Sequence, residues 1–273
     1  IFTADYAYFS SYSTSWVAHA KRYQEAMTAR FGLGAGSLVA EVASNDGYLL
    51  QHFKAQGIPV LGIEPTGNTA EAAIAKGIPT EVDFFGVALA EKLVAAGKSA
   101  DLMAANNVLA HVPDIRDFVS GFERLLKPEG VVTFEFPHLL NMIEKVQFDT
   151  IYHEHYSYLS LHAVKTIFEA CGLRIFDIEH LPTHGGSLRV FTCRKSAKHL
   201  ETTAVSTTLV AEREAGLADA ESAAYRGFSA KAEHARTSFL TFLQKCKEEK
   251  KSVAGYGAAA KGNTFLNYCG LGA

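Results

Sequence analysis

Apolar and polar segments alternate through the middle of the chain and predict strands separated by helices. Apolar runs of strand length occupy residues 38–43, 58–63, 78–82, 100–105 and 130–136. Between them, apolar residues recur at helical spacing over residues 46–56, 68–76, 87–96 and 114–126. Strands that alternate with helices in this way are typical of a parallel, doubly wound sheet. A helix at 161–171 and strands at 173–180 and 187–193 would complete the sheet with an antiparallel edge.

The segments on either side of this pattern have a different character. The first residues are rich in aromatic and hydroxyl side chains, and they either pack on the core or line a substrate pocket. The last residues repeat the order of short strand, glycine turn and helix. Because the chain starts without Met and stops just after this helix, we expect it to be an internal piece of a longer protein. The predicted parts are an arm and helix over 1–36, an α/β domain over 37–198, a helical linker over 199–251 and the truncated start of a second α/β domain over 252–273.

Composition narrows the range of partners. The chain has 273 residues with 26 basic and 29 acidic side chains, and it contains neither a basic block nor an apolar run of membrane-spanning length. We therefore expect no nucleic-acid or membrane partner. The four cysteines are scattered singly without a CxxC pair, which indicates neither a zinc site nor a disulfide framework. We predict a cytoplasmic protein that is a monomer or a weak homo-oligomer.

The turn after the first strand has the features of a cofactor site. Glu41 lies near the end of the strand, and the small residues Ala43, Asn45 and Gly47 follow at alternating positions, so that a ligand can approach the backbone closely. A dehydrogenase would show G-x-G-x-x-G. Here Ala43 and Asn45 stand at the first two glycine positions, and no glycine follows at the third. An acid ahead of a small-residue turn resembles the signature of class I S-adenosylmethionine (SAM) methyltransferases, in which the first small residue is usually glycine. We favour SAM over NAD, and a Rossmann-like fold that binds neither is the remaining alternative.

Polar and aromatic residues follow each of the next three strands, at the sheet edge where open α/β folds bind their ligands. Glu64 ends the second strand and can accept hydrogen bonds from ribose hydroxyls. Asp83 and Phe84 follow the third strand, where an adenine amino group and ring would lie. An asparagine pair follows the fourth strand. Taken alone, each of the two acids is also consistent with a solvated surface. The predicted cofactor-binding residues are Glu41, Ala43, Asn45, Gly47, Glu64, Pro65, Asp83, Phe84, Asn106 and Asn107.

The densest polar cluster, at residues 147–158, follows the fifth strand and allows three interpretations. His153 and His155 could bind a metal ion, with His111 or His138 as third ligand. The same residues could fill a half-buried polar loop without any chemistry. A histidine beside a carboxylate and phenols is also a general-base assembly, because imidazole titrates near neutral pH.

Eight motifs in order and spacing resemble the nucleotide-sugar C-methyltransferases: DYAYFSSYS, EVASNDG, GIEPTG, DFF, NNVLAHVPD, YHEHYSYLS, HGGSLRVF and VAGYGAAAKGNT. These enzymes, of the tetronitrose 3-C-methyltransferase type, methylate a carbon of a dTDP-linked keto-deoxysugar. The resemblance covers essentially the whole chain. It implies a class I SAM-methyltransferase fold, SAM as cofactor and a nucleotide sugar as partner. It also implies that zinc belongs to an N-terminal segment absent here, so we predict no metal in this chain.

The resemblance further implies catalytic positions at Tyr6, His111, Tyr152, Glu154 and His155. A sugar carbon beside a ketone becomes nucleophilic on losing its proton, so the reaction needs a base and a donor that stabilises the enolate. In this scheme His155 is the base and Glu154 orients it. Tyr152 and His111 hold or polarise the ketone oxygen, and Tyr6 closes the pocket from the arm.

Downstream residues are candidates for the sugar nucleotide. A glycine pair lets a phosphate or sugar approach the backbone, and a basic side chain can hold a diphosphate, although the glycine pair alone is also consistent with a simple turn. The predicted substrate-binding residues are His184, Gly185, Gly186, Ser187, Arg189 and Lys261. Two alternatives to the sugar C-methyltransferase stay open: an O- or N-methyltransferase for another small metabolite, and a SAM- or nucleotide-binding fragment without activity.

Overall fold

A computed structural model describes residues 6–219, 221–257 and 260–271. The first five residues of the predicted arm and residues 258–259 and 272–273 of the predicted second α/β domain lie outside this range. The strands are β1 (Val39–Val42), β2 (Val60–Ile63), β3 (Thr80–Glu81), β4 (Ala100–Asn106), β5 (Leu126–Pro137), β6 (Leu173–Leu181) and β7 (Ser187–Arg194). The α-helices are α1 (Thr14–Phe31), α2 (Leu50–Ala55), α3 (Gly67–Ala75), α4 (Val87–Ala95), α5 (Ile115–Leu125), α6 (Leu139–Glu144), α7 (Leu161–Ala170), α8 (Thr203–Glu214), α9 (Ala223–Glu248) and α10 (Ala260–Tyr268).

The strands form one sheet in the order β3-β2-β1-β4-β5-β7-β6. Strands β1 to β5 pair in parallel, whereas β7 runs antiparallel to both β5 and β6. The predicted doubly wound sheet with an antiparallel edge pair is therefore confirmed. Every residue of β1 and β2 is buried, as expected for central strands covered on both faces.

Two clusters of buried side chains lie on opposite faces of this sheet. Val39 and Ala40 are successive residues of β1 and fall in different clusters, because neighbouring side chains of a strand point to opposite faces. One cluster includes side chains of α4, α5 and α7, such as Phe122, and the other includes side chains of α1 and α2, such as Phe53. The sheet is thus held rigidly between two helical layers.

Several boundaries differ from the sequence predictions. Helix α2 begins at Leu50 rather than at residue 46, because residues with positive φ extend the preceding turn. Strand β5 begins at Leu126, where its backbone already pairs with Ala100 of β4. The short strand predicted after residue 252 is wrong, since residues 251–257 have no regular structure. Within the described ranges, none of the helices combines the length and the apolar character that crossing a membrane requires.

Helix α8 of the predicted linker is tied to the sheet domain by a buried carboxylate. Glu212 accepts a hydrogen bond from Nε2 of His138 at 2.6 Å, and both side chains are 1% exposed. The same carboxylate accepts the main-chain N–H groups of Leu161 and His162 at the first turn of α7. A carboxylate at a helix N-terminus satisfies donors that have no partner within the helix, so Glu212 anchors α8 to the start of α7.

Candidate active site

The turn between β1 and α2 has an unusual backbone. Ala43 and Asn45 have positive φ angles of 58° and 50°, and Gly47 follows with 76°. A Cβ atom on Gly47 would lie 2.3 Å from Cδ1 of Ile78, so packing as well as conformation requires glycine there. An alanine in the left-handed region is strained by about 1–2 kcal/mol. The turn therefore keeps a tight backbone conformation that is unfavourable for the alanine at position 43.

Buried polar atoms without a partner collect at the carboxyl ends of the neighbouring strands β1 and β4. Among the described residues, no hydrogen bond of good geometry reaches Oδ1 of Asn106, Oδ1 of Asn107, Oγ of Ser44 or either carboxylate oxygen of Glu41. Buried polar groups are normally paired, and an unmade hydrogen bond costs about 1–3 kcal/mol. Such a concentration of open acceptors indicates a place for a ligand that carries donors.

Glu41 is the most unfavourable of these groups. Its side chain is completely buried, and burial raises the pKa of its carboxyl well above the usual range. The nearby hydroxyl of Tyr48 lowers this pKa, but the negative charges of Glu64 and Asp46 raise it further. A cationic ligand group beside Glu41 would favour the ionised carboxylate.

Glu64, the predicted ribose acceptor, is held directly against the turn. Its Oε2 accepts the main-chain N–H of Asn45 at 2.8 Å. Its Oε1 accepts the main-chain N–H and the hydroxyl of Thr66 at 2.9 and 2.6 Å. A carboxylate oxygen has two lone pairs, so Oε2 keeps capacity for one more donor. Pro65 follows Glu64 in the loop between β2 and α3, and its contact with the cofactor stays a prediction.

The predicted adenine-binding pair lies on the loop between β3 and α4. The ring of Phe84 is 65% exposed, and Oδ1 of Asp83 accepts the main-chain N–H of Phe84 at 2.8 Å. The next residue, Phe85, instead packs in the core with its ring centroid 4.7 Å from that of Phe122. The loop thus separates a core aromatic from an exposed one, and the adenine contact stays a prediction.

Two histidines meet beside this edge of the sheet. The ring centroids of His111 and His155 are 4.8 Å apart, and the ring of Tyr152 lies 4.4 Å from that of His155. Nδ1 of His155 is 2.9 Å from the carbonyl oxygen of Thr150, and Nδ1 of His111 is 2.9 Å from that of Glu154. A carbonyl only accepts, so both Nδ1 atoms carry the proton. In the neutral ring, Nε2 of each histidine is then the proton acceptor.

This geometry changes two of the predicted roles. Glu154 does not orient His155, because the carbonyl of Thr150 makes that contact. Burial and the neighbouring His155 lower the pKa of His111, which favours its neutral form. With Nδ1–H donated to Glu154, a neutral His111 accepts hydrogen bonds at Nε2 and does not polarise an oxygen.

The charge of Glu154 acts on the phenols of both Tyr6 and Tyr152. Burial, followed by the charges of Glu154 and Glu64, raises the pKa of Tyr6 to about 12. Burial and Glu154 also raise the pKa of Tyr152. Both phenols therefore stay protonated at neutral pH and can donate hydrogen bonds. Tyr6 lies within electrostatic reach of both the cofactor turn and the loop that carries His155.

The loop that carries His155 rests on α10. The 3₁₀ turn Phe148–Thr150 supplies the carbonyl that fixes His155. The ring of Phe148 lies 6.0 Å from that of Phe265 and 5.0 Å from that of Tyr268, both on α10. Aromatic pairs at such distances contribute about 0.5–1.5 kcal/mol beyond the area that they bury. Helix α10 therefore supports the loop that carries His155.

The metal-site interpretation lacks a set of ligands. His138 is engaged by Glu212 in the core, and His153 is exposed. Across residues 6–219, 221–257 and 260–271, no three histidine, cysteine or acidic side chains are grouped so as to hold a metal ion.

His184 lies within electrostatic reach of Lys261 and of His155. His184 has a positive φ of 50°, and its ring lies edge-on to Trp16 at 5.7 Å. Burial lowers the pKa of His184, and the charge of Lys261 lowers it further. The charge of Lys261, on α10, thus acts on the loop before β7, and the substrate contacts of His184 and Lys261 stay predictions.

The glycine pair and Ser187 are engaged within the fold. Cβ atoms on Gly185 and Gly186 would lie 2.2 and 2.6 Å from atoms of Gln147 and Asn141, respectively. The carbonyl of Gly185 accepts the side-chain amide of Gln147 at 3.1 Å, and Ser187 donates its hydroxyl to a main-chain carbonyl. Close packing against the neighbouring helix and loop explains this glycine pair without a ligand.

Arg189 is buried and engaged by two carboxylates. It is 5% exposed, and its guanidinium donates to Glu135 at 2.9 Å and to Glu179 at 2.7 Å. Glu135 also contacts Nε2 of His19 at 3.1 Å. Burial raises the pKa of Glu135, but the contacts with His19 and Arg189 lower it more, so that the net pKa is low. The predicted diphosphate contact of Arg189 is therefore replaced by ion pairs. The single acid in the apolar strand GVVTFEF indicated a buried ion pair, but it did not identify Arg189 as the partner.

Comparison with known proteins assigns the chain to a family. Residues 17–178 match the profile of the methyltransferase domain. The chain belongs to the methyltransferase-domain family. Residues 182–273 also match the profile of the C-methyltransferase C-terminal domain.

One relative is similar to this methyltransferase-domain protein over nearly the whole length of the chain. The chain is 36% identical over 267 residues to the C-methyltransferase NovU of Streptomyces niveus, which covers 98% of this chain. The chain spans 63% of the length of NovU. The ubiquinone biosynthesis O-methyltransferase of Rhizobium etli is 29% identical over 101 residues, which is 36% of this chain and 40% of that protein.

Solved structures agree on the fold. The PH0226 protein of Pyrococcus horikoshii OT3 covers 69% of this chain and 95% of its own, with a TM-score of 0.56 and 14% identity. The magnesium protoporphyrin IX methyltransferase of Synechocystis PCC 6803, solved with bound S-adenosylhomocysteine (SAH), covers 66% of this chain and 83% of its own, with a TM-score of 0.52 and 16% identity. The predicted class I SAM-methyltransferase fold is confirmed.

The residues at the carboxyl edge fit the cofactor of this family. SAM and SAH carry an α-ammonium group and ribose hydroxyls, which are all donors. The open acceptors of Glu41, Asn106 and Asn107 and the remaining lone pair of Glu64 suit these donors. The open acceptors at this edge therefore match the donor groups of SAM.

Proposed function

We propose that this protein is a SAM-dependent C-methyltransferase that acts on a dTDP-linked keto-deoxysugar through an enolate. The observation that carries the proposal is the fixed imidazole of His155, with Nε2 as acceptor and the protonated phenol of Tyr152 packed 4.4 Å from its ring. A transferase that methylates oxygen or nitrogen needs at most one base, whereas a carbon acid needs a base and separate donors for the enolate oxygen. The similarity to NovU supports the same reaction class.

Cofactor binding falls to the turn after β1. Glu41 would hold the α-ammonium group, Glu64 the ribose hydroxyls, and Asn106 and Asn107 the remaining polar atoms. When bound there, SAM supplies the electrophilic methyl group. The positive φ and the small side chain of Ala43 keep the backbone open for this approach.

His155 acts as the base that removes the proton from the carbon beside the ketone. Its Nδ1–H is fixed by the carbonyl of Thr150, so the basic lone pair is at Nε2. A base positioned in this way contributes about 10²–10⁴-fold to the rate. His111 takes a second acceptor role beside it, for a hydroxyl group of the sugar.

Tyr152 and Tyr6 donate to the enolate oxygen. Burial and the charge of Glu154 keep both phenols protonated, which makes them donors throughout the neutral range. Donors that are already in place stabilise developing negative charge without reorganising. For the sugar nucleotide, His184 and Lys261 would face the diphosphate, because the charges of Lys261 and His155 both act on His184.

Exchange of the carbon-bound proton tests the proposal. The protein is incubated in D2O with SAH and a dTDP-linked keto-deoxysugar, and deuterium at the carbon beside the ketone is followed by mass spectrometry. Enolate formation incorporates deuterium without methyl transfer, and His155→Asn abolishes the incorporation. With SAM, the product gains a methyl group on carbon. Methylation without any exchange would favour the O- or N-methyltransferase, and SAH binding without exchange or methylation would favour a binding fragment.

A further inference from the structure

The backbone of the N-terminal arm is held by the side chain of an asparagine on α3. The main-chain N–H of Tyr6 donates to Oδ1 of Asn68 at 3.1 Å, and Nδ2 of Asn68 donates to the carbonyl of Tyr6 at 2.7 Å. The amide thus pairs with both main-chain groups of one residue, as a neighbouring strand would. Two reciprocal hydrogen bonds fix the position and the direction of the chain at Tyr6.

A second asparagine repeats this arrangement four residues further along the arm. The main-chain N–H of Ser10 donates to Oδ1 of Asn45 at 2.8 Å, and Nδ2 of Asn45 donates to the carbonyl of Tyr8 at 3.0 Å. Asn45 is 7% exposed and has a positive φ of 50°, a conformation that asparagine tolerates better than most residues. Its side chain therefore faces the arm, and its main-chain N–H is the part that meets Glu64.

The next residues extend the contact between the arm and the turn. The main-chain N–H of Ser11 donates to Oδ1 of Asp46 at 3.3 Å, and its hydroxyl donates to Oδ2. Lys76 bridges the two elements, with Nζ 2.9 Å from Oγ of Ser11 and 3.1 Å from Oδ2 of Asp46. The arm is therefore bonded to the cofactor turn itself and to the helix that follows β2.

These contacts decide where the phenol of Tyr6 lies. Its ring stands within reach of the charges of Glu64, beside the cofactor turn, and of Glu154 on the loop that carries His155. Since both main-chain groups of Tyr6 are bonded to Asn68, the way in which the arm is held contributes to the position of its phenol. We propose that Asn68 and Asn45 are positioning residues, which place Tyr6 over the reacting carbon by clamping the arm backbone.

The test is a double-mutant cycle between Asn68 and Tyr6, and its activity arm rests on the proposed function. Asn68→Ala removes both hydrogen bonds, and we expect kcat to fall about tenfold while SAH affinity changes less than about twofold. In the Tyr6→Phe background, the same substitution should cost less than about twofold, because the group that it positions is already absent. Losses that multiply in the double variant would overturn the proposal.

A second measurement separates this proposal from the proposed function. Hydrogen–deuterium exchange should show faster exchange of the Tyr6 amide in Asn68→Ala, by about tenfold, with the sheet unaffected. Unchanged protection of the arm would refute the clamp even if the enzyme methylates sugars. If no sugar is methylated, faster exchange still supports the clamp while the proposed function fails.

Two further variants guard against trivial explanations. Asn68→Asp keeps the acceptor for the Tyr6 N–H but replaces the donor by a carboxylate oxygen that repels the carbonyl of Tyr6, so its kcat should fall below that of the wild type, as in Asn68→Ala. Glu71→Gln changes an exposed residue of the same helix and should leave kcat and exchange unchanged.

For the second asparagine, Asn45→Gly removes the side chain and relieves the positive φ, and it should still loosen the amide of Ser10. Protection of Ser10 equal to that of the wild type would remove Asn45 from the clamp.

Discussion

Substitution of Glu41 by glutamine separates the cofactor role of this residue from its effect on stability. Glu41 is completely buried at the end of β1, and neither carboxylate oxygen makes a hydrogen bond of good geometry among the described residues. Glutamine has nearly the same shape but carries no charge. If Glu41 holds the α-ammonium group of the cofactor, the substitution removes a hydrogen bond between charged groups, which contributes about 1.5–3 kcal/mol. At about 1.4 kcal/mol for each tenfold change, the affinity for SAH should fall about 10- to 100-fold.

The same substitution should stabilise the protein without ligand. The pKa of Glu41 in the folded protein lies well above its value in the unfolded chain. The folded state therefore holds this proton more tightly, and the stability of the wild type falls as the pH rises from the unfolded pKa through the folded pKa. Glu41→Gln lacks this dependence. Its Tm should exceed that of the wild type by an amount that grows from pH 5 to pH 8, at about 2–4 °C for each kcal/mol.

Calorimetry and thermal melts check both parts. In the wild type, binding of SAH should release a proton from Glu41, and affinity should rise with pH, whereas the variant should show neither effect. Glu91→Gln, an exposed exchange on α4, serves as the control and should change neither quantity. Wild-type affinity for SAH in Glu41→Gln, at all pH values, would refute the assignment of this carboxylate to the cofactor.

Three other substitutions probe the remaining parts of the site. His155→Asn should lower the methylation rate by about 10²–10⁴-fold with SAH affinity unchanged, whereas His153→Asn, in an exposed neighbour, should keep wild-type activity. Ala43→Gly should raise the free energy of unfolding in urea by about 0.5–1 kcal/mol, because glycine adopts the φ of 58° without strain; a loss of stability would contradict this. Phe265→Ala should lower kcat several-fold by loosening the turn beneath His155, and equal loss in Phe242→Ala, whose side chain is 51% exposed, would show a general effect of the helices instead.

The sheet was predictable because its strands and helices have distinct periods. Residues 38–43 and 58–63 are short apolar runs between helical patterns, and burial on both faces leaves few other structures for them. The antiparallel edge also followed from two consecutive strands after a helix. In contrast, the strand expected near residue 252 had only a glycine turn and a following helix to support it, and it is absent from the described residues 251–257.

Site residues at the ends of strands could be predicted from the sequence. Residues whose role depends on contacts between segments far apart in the sequence could not. Parallel strands bring Glu41, Glu64 and Asn106 to one edge, so position in the sequence was sufficient for them. Arg189 also lies on a strand, but its pairing with Glu135 depends on the register of β7 against β5, which no local pattern specifies. Carboxylates on two strands neutralise a guanidinium that looked available for a diphosphate.

The roles of side chains were harder to predict than their positions. Thr150 fixes His155 through its carbonyl, and a main-chain group has no sequence signature. Asn68 was not singled out either, because its partner is the backbone of a segment 62 residues earlier. In both contacts one partner is a main-chain group that every residue possesses, and only the fold determines which side chain meets it.

Unfavourable backbone conformations concentrate where the proposed chemistry takes place. Among the described residues, six that are not glycine have a positive φ, and four of these lie in loops at the site: Ala43, Asn45, Asn107 and His184. Conformations of this kind cost about 1–3 kcal/mol each and persist only where the surrounding structure enforces them. Here the enforcement comes from the rigid sheet, whose central strands are covered on both faces. The buried, unpaired carboxylate of Glu41 adds to the same local cost. Since a ligand with matching donors would relieve the unpaired carboxylate, we expect binding of the proposed cofactor to stabilise the folded protein.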